Sequence, residues 1–240
     1  MSEVLGSAVH SLDEYQRLVV ATRREDHPDD WRTGYFHLIY GEHTEFMGQH
    51  GPGMLLLLHG VNREEVFGLY PDLRDGIAEE IGDLLWFDFS AATLLGVRAK
   101  DLSADALKAH TGERFELESF ADLEAAVCDN AHQIKVLSKM GMYYPELPPG
   151  RKFVSLLENP FYLFNRTTFR VTRALTEGKL DTPPFTASET EPVSSPELAL
   201  GDHINTLAYV AQVLGYDIGE VAKANIGKLQ RRAIYGKKQG

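Results

Sequence analysis

At 240 residues the chain can bury a sizeable core in one large domain or two small ones. Its net charge of −11 argues against a nonspecific binder of nucleic acid or anionic membrane, and no stretch approaches the roughly 20 apolar residues of a membrane span. A single cysteine, Cys128, excludes an internal disulfide and fits a reducing, cytoplasmic setting.

The opening "MSEVLGSAVHSLDEY" lacks the basic and apolar blocks of a signal peptide. Ser11 is the expected N-cap of a first helix, "LDEYQRLVVATRRE", with Glu14 three residues on and Leu12, Tyr15, Leu18 and Val19 on one face. "HPDDW" breaks it. A second helix is expected over "GYFHLIYGEHTEFMGQ", stopping near "HGPG", and a short third over "MLLLLHGVNREEVFG". The fourth runs from about Asp72 to Leu95 and ends at Gly96, a fitting C′ glycine. "DLSADALKAH" gives a fifth, and "RFELESF" carries the one hint of strand alternation. "ESFADLEAAVCDNAHQIKVLSKM" reads as a long helix that holds Cys128 as a small apolar residue, followed by the loop "YYPELPPGRK". "NPFYLFNRTTFRVTRALTEG" is helical again. Residues 178–197 are rich in Pro, Ser and Thr and read as a connection, and "ELALGDHINTLAYVAQVLGYDIGEVAKANIGKLQRR" gives two helices split at Gly215. The expected fold is all-α.

An internal repeat organises these helices. "GDLLWFDFSAATLLGVRAKDL" lies on "GDHINTLAYVAQVLGYDIGEV" at an offset of 119 (202 − 83, 215 − 96). "FHLIYGEHTEF" can be laid on "FYLFNRTTFRV" upstream, which sets Glu42 against Thr167 and Glu45 against Arg170. We therefore expect two degenerate tandem repeats, residues 1–112 and 113–240, packed as one globular unit.

Two carboxylate pairs stand out. Glu42 and Glu45 are i and i+3 on one helix, and Glu80 and Asp83 have the same spacing on another. Four carboxylates on two facing helices repel unless a cation lies between them, and all-oxygen ligands of this kind suit Mg²⁺ or Mn²⁺. ExxE is also common on solvated helix faces, but Phe87, Ser90 and Leu94 continue the Glu80–Asp83 face and set those acids at the edge of the core. No histidine stands where a ferritin-like di-iron bundle needs one. His37, His43, His50 and His59 lack zinc spacing, Trp31 and Trp86 read as core, and Arg166, Arg170 and Arg173 read as a solvated face or a second phosphate contact.

The set "YGEHTEF", "EEIGDLLW" and "LGYDIGEVAKANIGKLQRR" resembles the MazG-like, all-α nucleoside triphosphate pyrophosphohydrolases. That family carries ExxE and ExxD pairs on neighbouring helices and a later Asn-x-x-Lys followed by a basic residue. The acidic pairs fall on Glu42 and Glu45 and on Glu80 and Asp83. The later motif falls on Asn225 and Lys228, with Arg231 or Arg232 as the arginine. The resemblance touches most of residues 10–110 and 196–235. It implies a helical bundle that cleaves a nucleoside triphosphate to the monophosphate and pyrophosphate with Mg²⁺ held by Glu42, Glu45, Glu80 and Asp83. Glu42 or Glu45 would then orient the attacking water as the catalytic carboxylate, and Asn225, Lys228 and Arg232 would bind substrate.

This chain departs from the pattern in three ways. The acidic pairs are separated by "GPGMLLLLHGVNREEVFGLYPDLR", a longer gap than the family suggests. The first copy has Ala106 opposite Asn225, and the second has Ala199 opposite Glu80. The acidic half and the Asn–Lys half thus lie in different copies, which implies a fused pseudo-dimer akin to dimeric dUTPases with one surviving site. One enlarged unit with a helical insertion is the other arrangement. The partner is a nucleotide, with no nucleic acid or membrane implied, and pairing of the chain into a homodimer stays open. So do a catalytically degenerate nucleotide or metal sensor and a helical interaction protein with acidic surface pairs.

Overall fold

A computed structural model describes residues 11–22, 31–129, 160–175 and 195–235. All regular structure among them is helical. The loop "YYPELPPGRK" and nearly all of 178–197 lie outside the described residues.

Helix α1 (Leu12–Thr22) begins as its cap predicts, with the Glu14 N–H donating to Ser11 Oγ at 3.0 Å. Helix α2 (Trp31–Leu58) departs from expectation: it passes through Pro52 instead of stopping at "HGPG". Pro52 forfeits a helical hydrogen bond and crowds the preceding turn. Beyond it, Met54 and Leu57 are fully buried. Gly53 lies so close to α4 that a Cβ there would come within 2.6 Å of Leu73. Packing of this last turn therefore outweighs the local cost. The expected third helix divides at Gly60, whose φ of 76° ends α2, and Asn62 Oδ1 caps α3 (Arg63–Leu69) by accepting from the Glu64 and Glu65 N–H groups.

Helices α4 (Leu73–Leu94) and α5 (Ala99–Thr111) follow the expected bounds. "RFELESF" forms no strand. It is an extended segment with Leu117 buried and Glu116 and Glu118 exposed, joined to the start of α1 by a bridge between Ser11 and Ser119. It alternates because one side lies on the core, yet among the described residues it has no neighbouring strand to pair with. A capping box between Ser119 and Asp122 opens α6 (Phe120–Cys128), where the Cys128 thiol is half-buried and pushed up to about 12, mainly by burial. Then follow α7 (Pro160–Leu175), α8 (Pro196–Val213) and α9 (Ile218–Tyr235).

One hydrophobic core takes in residues from all of these helices. The central helices are α4 and α8. Helix α4 packs chiefly on α2 and α9, and α8 on α7 and α5, while α4 meets α8 and α2 meets α7. The helix that follows each central helix thus packs mainly on the other one. Positions 119 residues apart make similar contacts. A Cβ on Gly82 would meet Asn225 and Val221, and a Cβ on Gly201 would meet Ala106 and Leu102, each residue 119 from its counterpart (201 − 82, 225 − 106, 221 − 102). Gly96 and Gly215 end α4 and α8 with φ of 76° and 78° and the same pattern of capping hydrogen bonds.

Polar groups cross the centre. His203 Nδ1 on α8 lies 2.8 Å from Asp88 Oδ2 on α4, both residues fully buried, and His203 Nε2 lies 3.1 Å from Thr168 Oγ1 on α7. Arg63 and Arg74 donate to the carbonyls of Val213 and Leu214 at the end of α8.

Candidate functional site

The first acidic pair lies on α2 and the second on α4, two helices in direct contact. Glu80 is buried because its position continues the core face of α4, with Ile77, Ile81, Leu84 and Phe87 buried around it. Asp83 is one turn on, at the rim, with its side chain 20% exposed. Glu42 is half-buried, and Glu45 is exposed and accepts from Gln49 Nε2 at 3.3 Å.

Burial pushes the Glu42 carboxyl above the ordinary carboxylate range, and the charges of Asp83, Glu80 and Glu45 add to the rise while Lys228 opposes it. The four predicted carboxylates therefore share one electrostatic neighbourhood. Glu80 Oε1 is buried and accepts no hydrogen bond, and His43 Nδ1, on the same helix as Glu42, lies 3.8 Å away. The sequence did not single out His43 for this place, because its spacing matches no ligand pattern.

Helix α9 supplies the opposite charge. Lys228 Nζ donates to Asp83 Oδ1 and Oδ2 at 2.6 and 2.7 Å and to Glu79 Oε1 at 3.1 Å, and Asn225 Nδ2 donates to Asp83 Oδ1. Asn225 and Lys228 are i and i+3, so one face of α9 brings both to the same carboxylate. The close approach depends on Gly82, since a Cβ there would lie 3.1 Å from that of Asn225. Asn225 Oδ1 is buried without a hydrogen bond. Tyr15 of α1 adds a buried hydroxyl with no hydrogen-bond partner. Its pKa is raised well above 10.0 by burial and then by Asp83 and Asp88.

An open cleft of about 530 Å³ runs between α4 and α9 beside this cluster. Its floor is Ala78, Gly82, Val221 and Ala224, and Asn225 and Lys228 stand at its wall. Both arginines the motif leaves open are exposed, and of the two Arg231 lines the cleft. At the cleft's other wall the Tyr216 hydroxyl donates to Asp75, and Arg74 lies 4.7 Å over the Tyr216 ring. Comparison with protein-family models, curated proteins and solved structures finds no match.

Asp202, 119 residues after Asp83, is arranged differently. Asp202 is buried and pairs with His110 Nε2 of α5 at 2.6 Å and Arg170 Nη1 of α7 at 3.1 Å. The sequence alignment sets Arg170 against Glu45, and Arg170 is in an ion pair with Asp202. Arg166 is buried rather than solvated. Trp86 is half-buried and donates its indole N–H to Thr22 Oγ1 at 2.9 Å, in keeping with a packing role.

The residues fit a divalent cation in charge and donor type. Glu80 offers an unused buried oxygen, and three carboxylates raise the pKa of Glu42 by repulsion that a cation would relieve. Among the described residues, no three His, Cys, Asp or Glu side chains already form a metal-ligand set, and both oxygens of Asp83 are held by Lys228.

Proposed function

We propose that the chain is a Mg²⁺-dependent nucleoside triphosphate pyrophosphohydrolase of the MazG-like, all-α type, built from two fused degenerate repeats with one composite active site. The observation that carries this reading is the meeting of Asp83, from the acidic motif of the first half, with Asn225 and Lys228, from the basic motif of the second. Neither half holds both motifs. The equivalent contacts of Gly82 and Gly201, and of Gly96 and Gly215, support the duplication.

Glu42, Glu45, Glu80 and Asp83 would hold the ion, Mg²⁺ or Mn²⁺. When bound, it neutralises phosphate charge and lowers the pKa of water. Glu42 or Glu45 would orient the attacking water or take its proton. Lys228 and Arg231, together at the cleft, would bind the phosphates and balance the charge that develops on departing pyrophosphate. The flat, apolar cleft floor leaves room beside them for the rest of the nucleotide.

The test is incubation of the purified full chain with the common ribo- and deoxyribonucleoside triphosphates and Mg²⁺, scored for products. Monophosphate and pyrophosphate are expected. Diphosphate and orthophosphate would contradict the reaction, and nucleotide binding without any product would favour a regulatory nucleotide-binding protein.

A further inference from the structure

The Lys228 ammonium sits against both oxygens of Asp83, at 2.6 and 2.7 Å, and also donates to Glu79 Oε1 at 3.1 Å. Lys228 is thus held by two carboxylates of α4. A monovalent cation already sits against one of the four acids proposed to hold a divalent one. Two buried acceptors of the same cluster accept no hydrogen bond: Glu80 Oε1, with His43 Nδ1 3.8 Å away, and Asn225 Oδ1, on residues only 5% and 4% exposed. Buried acceptors without hydrogen bonds are costly, and a cation or another donor reaching them would relieve that cost. The Lys228 side chain is 18% exposed and borders the cleft, and its four-carbon stem has rotamers that leave Asp83.

We infer that Lys228 is a displaceable counter-ion: its ammonium neutralises Asp83 in the metal-free chain, and a divalent cation gains that carboxylate only by moving the ammonium away. The inference rests on the metal-binding reading of the four carboxylates. It also couples two events. A phosphate that draws Lys228 into the cleft frees Asp83 for the cation, and a cation on Asp83 frees Lys228 for phosphate, so each favours the other.

The test is Mn²⁺ binding to the full chain by calorimetry, in the wild type, Lys228→Met and Lys223→Met. Lys223 is a surface cation of the same helix, and its substitution controls for loss of one positive charge. Lys228→Met is expected to bind Mn²⁺ about 5- to 10-fold more tightly than the wild type, the scale of one partly exposed charge pair, with Lys223→Met unchanged. The metal-free Lys228→Met protein should also melt lower and regain more on adding Mn²⁺. Lys228→Gln serves as a second neutral variant, with circular dichroism to check folding. Equal affinity in folded Lys228 variants and wild type overturns the inference and leaves the metal site standing. An equal gain in Lys223→Met also overturns it, as a general surface-charge effect. Absence of Mn²⁺ binding in every protein removes the metal site and the inference together.

Discussion

Lys228 on α9 reaches both carboxylate oxygens of Asp83 on α4, at 2.6 and 2.7 Å, across 145 residues of sequence. On the proposed reading this contact joins the acidic motif of one half to the basic motif of the other. Damage to either half should therefore damage a single activity.

Glu80→Gln keeps the shape of a buried side chain and removes its charge. It should lower turnover of the best nucleotide by at least about 100-fold, because the proposed metal site loses a ligand charge, while circular dichroism shows an intact fold. Asp202→Asn should leave turnover per folded molecule near that of the wild type. It breaks the buried pairing with His110 and Arg170 and should cost about 1.5–3 kcal/mol of stability in denaturant unfolding. A dead but stable Asp202→Asn with an active Glu80→Gln would place the site in the other half.

The paired glycines give a graded test of packing. Gly201→Ala would set its Cβ 2.1 Å from the Leu102 carbonyl oxygen, a backbone atom that cannot step aside. It should destabilise by about 3 kcal/mol or more. Gly82→Ala meets the Asn225 side chain at 3.1 Å, so that side chain must give by a few tenths of an ångström. Its stability cost should be smaller, about 1 kcal/mol, and its cost in turnover larger, because Asn225 is pushed against its bond to Asp83. Thermal melts and steady-state kinetics on the two variants separate these effects.

These contacts also show what the sequence carried and what it did not. Ser11 and Gly96 mark helix ends through local backbone chemistry, and both ends fall where that chemistry predicts. The 119-residue periodicity read in the sequence coincides with two close helix contacts, at Gly82 and at Gly201, where a side chain would crowd the neighbouring helix. Pro52 misled because its cost is local, while the gain at Met54 and Leu57 is tertiary. "RFELESF" misled because alternation reports one buried side and not a partner strand. The sequence read Tyr15 as core and gave His43 no chemistry, because nothing in their spacing reveals that α2 carries His43 to Glu80 or that Tyr15 lies within the field of Asp83. Asp88 and His203, 115 residues apart, likewise carry no local signal.

That last pair lies wholly in the core, where burial pushes the Asp88 carboxyl up and His203 pulls it partly back. Asp88→Ala leaves the His203 Nδ1 without its acceptor and opens a small cavity. Loss of one partner of a buried pair costs about 3–5 kcal/mol, which for a domain of this size is a fall in Tm on the order of 10 °C. The substitution removes no proposed ligand, so turnover per folded molecule below the melting transition should hold. A melt indistinguishable from the wild type would show that the pair contributes nothing net to stability.

Glu42 gives a pH dependence with a definite sign. Burial, then Asp83, Glu80 and Glu45, raise its folded pKa, and unfolding disperses those neighbours and returns it towards 4.5. Between the unfolded and the folded values the native state holds more protons, so this group's contribution to stability falls as pH rises through that window. Above the folded pKa the whole cost remains. Glu42→Gln removes the charge and should raise the neutral-pH Tm of the metal-free chain while flattening the decline above the ordinary carboxylate range. The same change should shrink the rise in Tm on adding Mg²⁺, since one ligand and one repelling charge are gone. Melts of both proteins from about pH 4 to 8, with and without Mg²⁺, read both effects. If the two melt in parallel across that range, Glu42 carries no raised pKa. If Mg²⁺ raises both Tm values equally, the ion binds elsewhere.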